Sequence, residues 1–213
     1  MKEKWKKEIT KFVEYNWKYA AVGLVALLMI ANIVKTFVFD RKEIVLSVVV
    51  LDNEATMDAD TLAQDLRKYL DAESDKKEIE IAFLDPSTGP ENQMAFVTRV
   101  AAKAIDVVIG EEEKFDHNAN GFCADLEAIL PKTLLKDAQN NLIEGAVSIF
   151  DEDGEAIGKE EPYYYGIGLN DSINFETVNL GMEHPVIGIV ANTAKSEQAI
   201  GCMAYFLEQI KGK

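Results

Sequence analysis

From Ala20 to Val34 the chain reads AAVGLVALLMIANIV, with Asn32 as its one strongly polar member. Nothing else in the sequence constrains the fold as much, because an apolar surface on every side of a helix has to be covered by protein or by lipid. Trp17 and Tyr19 precede the run, and Lys35 followed by Thr36-Phe37-Val38-Phe39 extends it to Asp40. As a helix, residues 17–39 reach about 34 Å at ~1.5 Å per residue, enough for a hydrocarbon core of about 30 Å. Trp17 and Tyr19 suit one membrane interface with their amphipathic rings, and Lys35 can snorkel from the other end.

A cleaved signal peptide is the competing assignment, and fifteen apolar residues reach the upper end of its range. It needs a small-residue cleavage pair, whereas the chain continues Asn32-Ile33-Val34-Lys35-Thr36-Phe37. No Cys stands near the end of the run to carry a lipid. The segment is therefore read as an uncleaved signal anchor. Lys2, Lys4, Lys6, Lys7, Lys11 and Lys18 precede it, and the positive-inside rule puts that end in the cytoplasm. The expected organisation is a basic cytoplasmic tail over 1–16, a transmembrane anchor over 17–39, and an extracytoplasmic domain over 40–213. Trp5, Ile9, Phe12, Val13 and Trp17 recur at helical spacing, so the tail reads either as an amphipathic helix on the inner leaflet or as an extension of the membrane helix.

Charge divides the chain at the same place. Of the overall −15, residues 1–39 contribute seven lysines against three glutamates, and residues 40–213 contribute 15 basic against 34 acidic side chains. A balance of −19 argues against nucleic acid as the domain's partner, since phosphates need a basic face. With 48% hydrophobic residues and two cysteines, the chain is neither disordered nor a disulfide scaffold.

After Asp40 short β-branched runs alternate with helical periodicity. Ile44–Leu51 and Ile79–Leu84 read as strands, and between them Asp58 or Asp60 caps a helix with Leu62, Leu66, Tyr69 and Leu70 on one face. The turn cluster 85–90 leads into a helix expected to bury Met94, Val97, Val100, Ala101 and Ala104, followed by a strand over Ile105–Ile109. A short helix over Cys123–Leu130 stops at Pro131. Ala146–Phe150 reads as a strand before the turn signal Asp153-Gly154. Tyr163–Leu169 and Val186–Ala191 read as further strands, and Ser196 opens a closing helix bearing Ala199, Met203, Phe206, Leu207 and Ile210. Alternating strands and helices with short joints imply one α/β domain with a mostly parallel sheet flanked by helices.

No sequence pattern for a nucleophile, a Walker loop or a zinc protease is present, and no cofactor or metal is assigned. His117 stands among Glu111, Glu112, Glu113 and Asp116, which reads as a solvated acidic loop before it reads as a divalent site. Asp151-Glu152-Asp153-Gly154 is a partial calcium-loop match, but Ile149 falls where the first acidic ligand belongs. Asn170-Asp171-Ser172 satisfies a glycosylation sequon. Cys123 and Cys202 read either as a pair or as buried thiols. The positional clue is stronger. Ligands of open parallel sheets bind outside the carboxyl ends of the strands. Those ends carry Asp52, Asn53, Asp85, Glu111, Asn170 and Asn192, a polar and acidic set suited to a cationic or polyhydroxyl small molecule.

The stretch Val97–Leu130, VTRVAAKAIDVVIGEEEKFDHNANGFCADLEAIL, resembles the bacterial extracellular solute-binding proteins. In it a helix leads to a strand, then to a loop with Phe115, then to Gly121-Phe122-Cys123-Ala124-Asp125-Leu126. Tyr163–Leu169 and Val186–Thr193 resemble the segments by which that family returns to its first lobe. The resemblance implies a periplasmic-binding-protein-like lobe with a ligand cleft along the loop after the third strand. Such proteins usually have two lobes, and residues 132–160 are too few for a second. A short single-lobe, membrane-anchored relative is the expectation. It would be non-enzymatic and serve ligand binding or protein interaction at the cell envelope. An accessory or regulatory subunit of a membrane transporter or sensor complex is the alternative, and a hydrolase using Asp52, Asp85 and Glu111 a further one.

Overall fold

The computed structural model describes residues 2–34, 42–52, 58–118, 120–146, 148–150, 156–159, 161–169 and 182–211. Two units make up the chain, Met1–Lys42 and Glu43–Lys213.

The described part of the first unit is essentially one helix, α1 (Lys2–Val34). It runs without a break past residue 16, so the basic tail is an extension of the apolar helix rather than a separate element. Its residues 21–33 are exposed throughout, and Trp17 and Tyr19 with them. Among the described residues no helix is long and apolar enough to cross a membrane. Residues 35–39 of the expected span, Lys35 included, lie outside the described residues.

The second unit is a sheet with helices on both faces. Strand β1 (Glu43–Val50) is the β-branched run read from the sequence, and its side chains alternate between two cores. Helix α2 (Ala59–Tyr69) starts at Asp58, whose Oδ1 accepts the N–H groups of Asp60 and Thr61 at 3.1 Å each. It buries Leu62 and Leu66 and leaves Tyr69 half exposed. Strand β2 (Lys77–Phe83) and helix α3 (Pro90–Ala101) follow, with Pro90 at the first turn where a missing N–H costs nothing. The helix presents a different face from the one expected. Phe96 and Val100, an i,i+4 pair, fill the core, while Met94 is 70% and Val97 40% exposed. The bulkiest apolar side chain of the helix sets its phase.

Strand β3 (Val107–Glu111) passes directly into α4 (Glu112–Asn118). The acidic stretch expected to be a loop is thus a helix, with Glu112 and Glu113 in the first turn where the helix dipole favours them. Two short helices, α5 (Leu126–Ile129) and α6 (Lys132–Ala138), lead to β4 (Leu142–Gly145). A separate antiparallel pair, β5 (Ser148–Phe150) and β6 (Ala156–Lys159), comes next, and the Asp153-Gly154 turn lies outside the described residues. Strand β7 (Tyr163–Gly168), strand β8 (Pro185–Ile189) and helix α7 (Ser196–Lys211) complete the unit.

The sheet order is β2-β1-β3-β8-β7-β4. Pairing is parallel between β1 and β2 and between β1 and β3, as the strand–helix alternation implies. It is antiparallel from β3 to β8, β8 to β7 and β7 to β4, so the expectation of a mostly parallel sheet is corrected to a mixed one. Alternating side chains separate the two cores. Leu46, Val48, Val50, Val107, Ile109, Ile167 and Ile187 share one with the apolar faces of α2 and α7. Val49, Leu51, Val108, Val186 and Tyr165 share the other with Phe96 of α3 and Phe115 of α4.

Candidate functional site

The three parallel strands end side by side, and α4 brings a cation to them. Asp52 follows β1, and its Oδ1 lies 3.9 Å from Lys114 Nζ. Asp85 follows β2 and is 4% exposed. Its Oδ1 accepts the Ser87 N–H at 2.9 Å and the Ser87 hydroxyl, and its Oδ2 accepts Lys114 Nζ at 2.9 Å. Lys114 was missed in the sequence, where it is one basic residue in EEEKFDH; a helical reading would have put it one turn after Glu111. Glu111 makes its hydrogen bonds elsewhere. Its two oxygens accept the backbone N–H groups of Glu183 (3.0 Å) and His184 (2.7 Å), which fastens the start of β8.

Burial pushes the Asp85 pKa up, but hydrogen bonds from Ser87 and Lys114 outweigh it and hold the carboxyl below its ordinary value. That is the opposite of what a general acid needs. Lys114 is raised, first by its hydrogen bond to Asp85, against its own burial, with Asp52 and Glu111 adding to the effect. A carboxyl with a depressed pKa stabilises the fold above its unfolded value of about 3.9 and loses that contribution as pH falls through the folded pKa. A raised lysine stabilises below about 10.4 and loses its contribution as pH rises through the folded pKa. Lys114→Met is therefore expected to flatten both limbs. In urea unfolding of the full chain, the drop in midpoint from neutral to acid pH should be clearly smaller than in the unsubstituted protein. An unchanged pH profile would show that Lys114 does not set the charge state of this edge.

Asn192 belongs elsewhere. Because β8 is antiparallel to β3, with Glu111 opposite Pro185 and Val107 opposite Ile189, its carboxyl end lies at the start of β3. There Asn192 Nδ2 donates to the Val100 carbonyl at 2.8 Å. The grouping of Asn192 with Asp52, Asp85 and Glu111 is thereby overturned by the mixed sheet. Asn53 and Asn170 lie outside the described residues. Asn192 neighbours a cluster the sequence reading passed over. Asp106, 1% exposed, accepts the Ser47 N–H at 2.8 Å, the Thr193 hydroxyl at 2.5 Å and Lys195 Nζ at 3.2 Å. A charge at the head of an apolar run needs such partners, and that was the available signal.

Among the described residues, the open part of the unit is on the face that α3 and α4 partly cover. Helix α4 packs against β3 and β8, anchored by Phe115, which is fully buried and stacks on Tyr165 at 5.7 Å with 20° between the rings. Beyond α4, toward the edge strand β4, lie two adjoining depressions of 530 and 750 Å³ that share Glu112, Ile143 and His184. The smaller is floored by Val186, Gly168 and Ile143. The larger is lined by Tyr165 and by acids from α4, β4 and the entry to β8. Tyr165 donates to Asp116 Oδ1 at 3.4 Å, and its pKa is pushed up by burial and then by Asp116 and Glu112.

Cys123 and Cys202 are buried free thiols in different cores, on opposite faces of the sheet, which excludes their pairing. Burial pushes Cys123 up to about 12 and Cys202 up as well, so both are unreactive at neutral pH. Among the described residues no group of three His, Cys, Asp or Glu side chains is arranged to hold a metal ion; the side chain of His117 lies outside them.

No model of a known protein family and no curated protein matches the chain. Among solved structures, it is similar to an H2O2-bound OxyR mutant of Corynebacterium glutamicum at 10% identity and a TM-score of 0.32, over 93% of this chain and 78% of that one. The oxidized form of OxyR from the same organism is similar at 11% identity and a TM-score of 0.30, over 93% and 74%. Likeness at these scores carries no argument, and the fold stands on the topology described above.

Proposed function

We propose that this chain is a single-pass membrane protein whose α/β unit lies outside the cytoplasm and binds a ligand or a partner protein there without catalysing a reaction. The observation that supports it most is the surface of α1. Residues 21–33 make more than three helical turns, so their exposure covers every side of the helix, and all but Gly23 and Asn32 are apolar. Such a surface is stable only under lipid or protein. Thirteen residues fall short of the roughly 20 a span needs, and Val34 to Phe39, apolar but for Lys35 and Thr36, brings the run to about that length. The lysines ahead of the run support a cytoplasmic amino terminus.

The reading as a short single-lobe relative of solute-binding proteins is supported by the late segments. Both Tyr163–Leu169 and Val186–Thr193 return to the sheet of β1–β3, as β7 and β8. Membrane fractionation tests the anchor. The full chain should stay in the pellet after alkaline carbonate washing, and Leu24→Arg with Leu28→Arg should release most of it. Each arginine near the bilayer centre costs about 2.5–3.5 kcal/mol. Release of the unsubstituted chain by carbonate would contradict the anchor.

A further inference from the structure

We propose that the trough between α4 and β4 is a docking groove for an extended, lysine- or arginine-bearing segment of a partner protein. This rests on the reading of the α/β unit as a binding module and is independent of the membrane anchor. Three observations combine. First, among the described residues the trough is a break in the helical cover of the sheet. α3 and α4 cover β1, β3 and most of β8 on this face, and toward β7 and the edge strand β4 the described lining is Ile143 and Gly168 beside Val186 at the start of β8. Second, its two depressions adjoin through Glu112, Ile143 and His184, which makes an elongated trough rather than one closed cavity. Small-molecule sites enclose most of their ligand, and an open trough instead suits a chain lying along it. Third, the rim is acidic on both sides, with Glu112, Glu113 and Asp116 from α4 facing Glu144 from β4 and Glu183 before β8. Charges spread along a trough, each weakened by solvent, select a partner with several cations rather than a single one.

Gly168 decides how the floor is read. A Cβ there would lie 3.5 Å from Ile143 Cδ1 and 3.6 Å from the Asn141 carbonyl, which is ordinary contact distance. The fold does not require glycine at this position, and a larger side chain would fill the slot without displacing backbone. Gly188 is different, because its Cβ would come within 2.8 Å of the Tyr165 carbonyl.

The test uses the full chain in detergent micelles and a fluorescent eight-residue peptide of alternating lysine and valine, with a glutamate–valine peptide and spermine as comparisons. The lysine–valine peptide should bind at least tenfold more tightly than the glutamate–valine peptide and weaken several-fold between about 50 and 300 mM salt. Glu112→Gln with Glu113→Gln should weaken it about fivefold or more. Gly168→Leu should weaken it about tenfold with an unchanged circular dichroism spectrum and melting temperature. If Gly168→Leu perturbs folding, Glu144→Lys on the exposed rim serves in its place, with at least a fivefold loss expected. Absence of peptide binding would overturn the proposal. So would binding that spermine equals, or that neither Gly168→Leu nor Glu144→Lys affects, since the acids would then act as a diffuse counter-charge. None of these results bears on carbonate extraction, so failure of the groove and failure of the anchor are separable.

Discussion

Replacing Asp106 with alanine is expected to cost on the order of 3 kcal/mol of stability, because it removes a buried carboxylate that holds three donors. The carboxylate is buried at the head of β3 and takes hydrogen bonds from three parts of the chain: Ser47 in β1, Thr193 after β8, and Lys195 at the entrance to α7. Removing it strands the Ser47 N–H and leaves the Lys195 ammonium without its partner. At the same time it unties the connection between the sheet and the closing helix. Lys195 is 30% exposed and can turn to water, so Lys195→Met should cost less than Asp106→Ala, about 1 kcal/mol. Urea unfolding of the full chain in micelles reads the difference. With a slope of about 1–3 kcal/mol per molar, Asp106→Ala should lower the midpoint by roughly 1–3 M. A change below about 0.5 kcal/mol would mean that the cluster is not a structural tie.

Phe115→Ala should be of similar size, about 3–5 kcal/mol, because a fully buried ring leaves a cavity that the sheet cannot close. Its consequence is also functional. Phe115 fixes α4 by stacking on Tyr165 and by occupying the space above Gly188, where an added Cβ would meet its Cζ at 2.6 Å. Loss of the ring loosens the helix that carries Glu112, Glu113 and Asp116. Peptide binding should therefore fall together with stability. The reciprocal change, Gly188→Ala, overfills the same contact against the Tyr165 carbonyl and Cys123 Sγ, and should cost about 1–3 kcal/mol. Thermal melting with near-ultraviolet circular dichroism checks both. If Phe115→Ala melts like the unsubstituted chain, α4 is held by something other than this ring.

The elements that were legible in the sequence are those whose pattern is local. The β-branched run of β1 lies within one residue of its expected bounds, and Asp58 caps α2 as its residue type suggests. The parallel pairing of β1, β2 and β3 follows from short strand–helix joints. What could not be read depended on long-range pairing. Nothing near Val186 signals that β8 enters the sheet antiparallel beside β3, and that single fact moves Asn192 to the opposite end from Glu111. The phase of α3 was misjudged because several apolar residues could face inward and only the packing of Phe96 decides among them. The candidate site was legible in part. Asp52 and Asp85 do converge, but on Lys114, a cation supplied by the chain itself. The trough was invisible to the sequence because its walls come from α4, β4, β7 and β8, four elements spread over 112–186.

If residues 17–39 span the membrane as proposed, Lys18 lies on the cytoplasmic side and the α/β unit outside. Cysteine labelling tests it most directly, because Cys123 and Cys202 are buried and silent toward a membrane-impermeant maleimide. One reporter replaces Glu73 and a second replaces Lys18; both positions are exposed. In intact cells making the full chain, Glu73→Cys should be labelled and Lys18→Cys should react only after lysis. Labelling of Lys18→Cys in intact cells, or protection of Glu73→Cys until lysis, would contradict the claim.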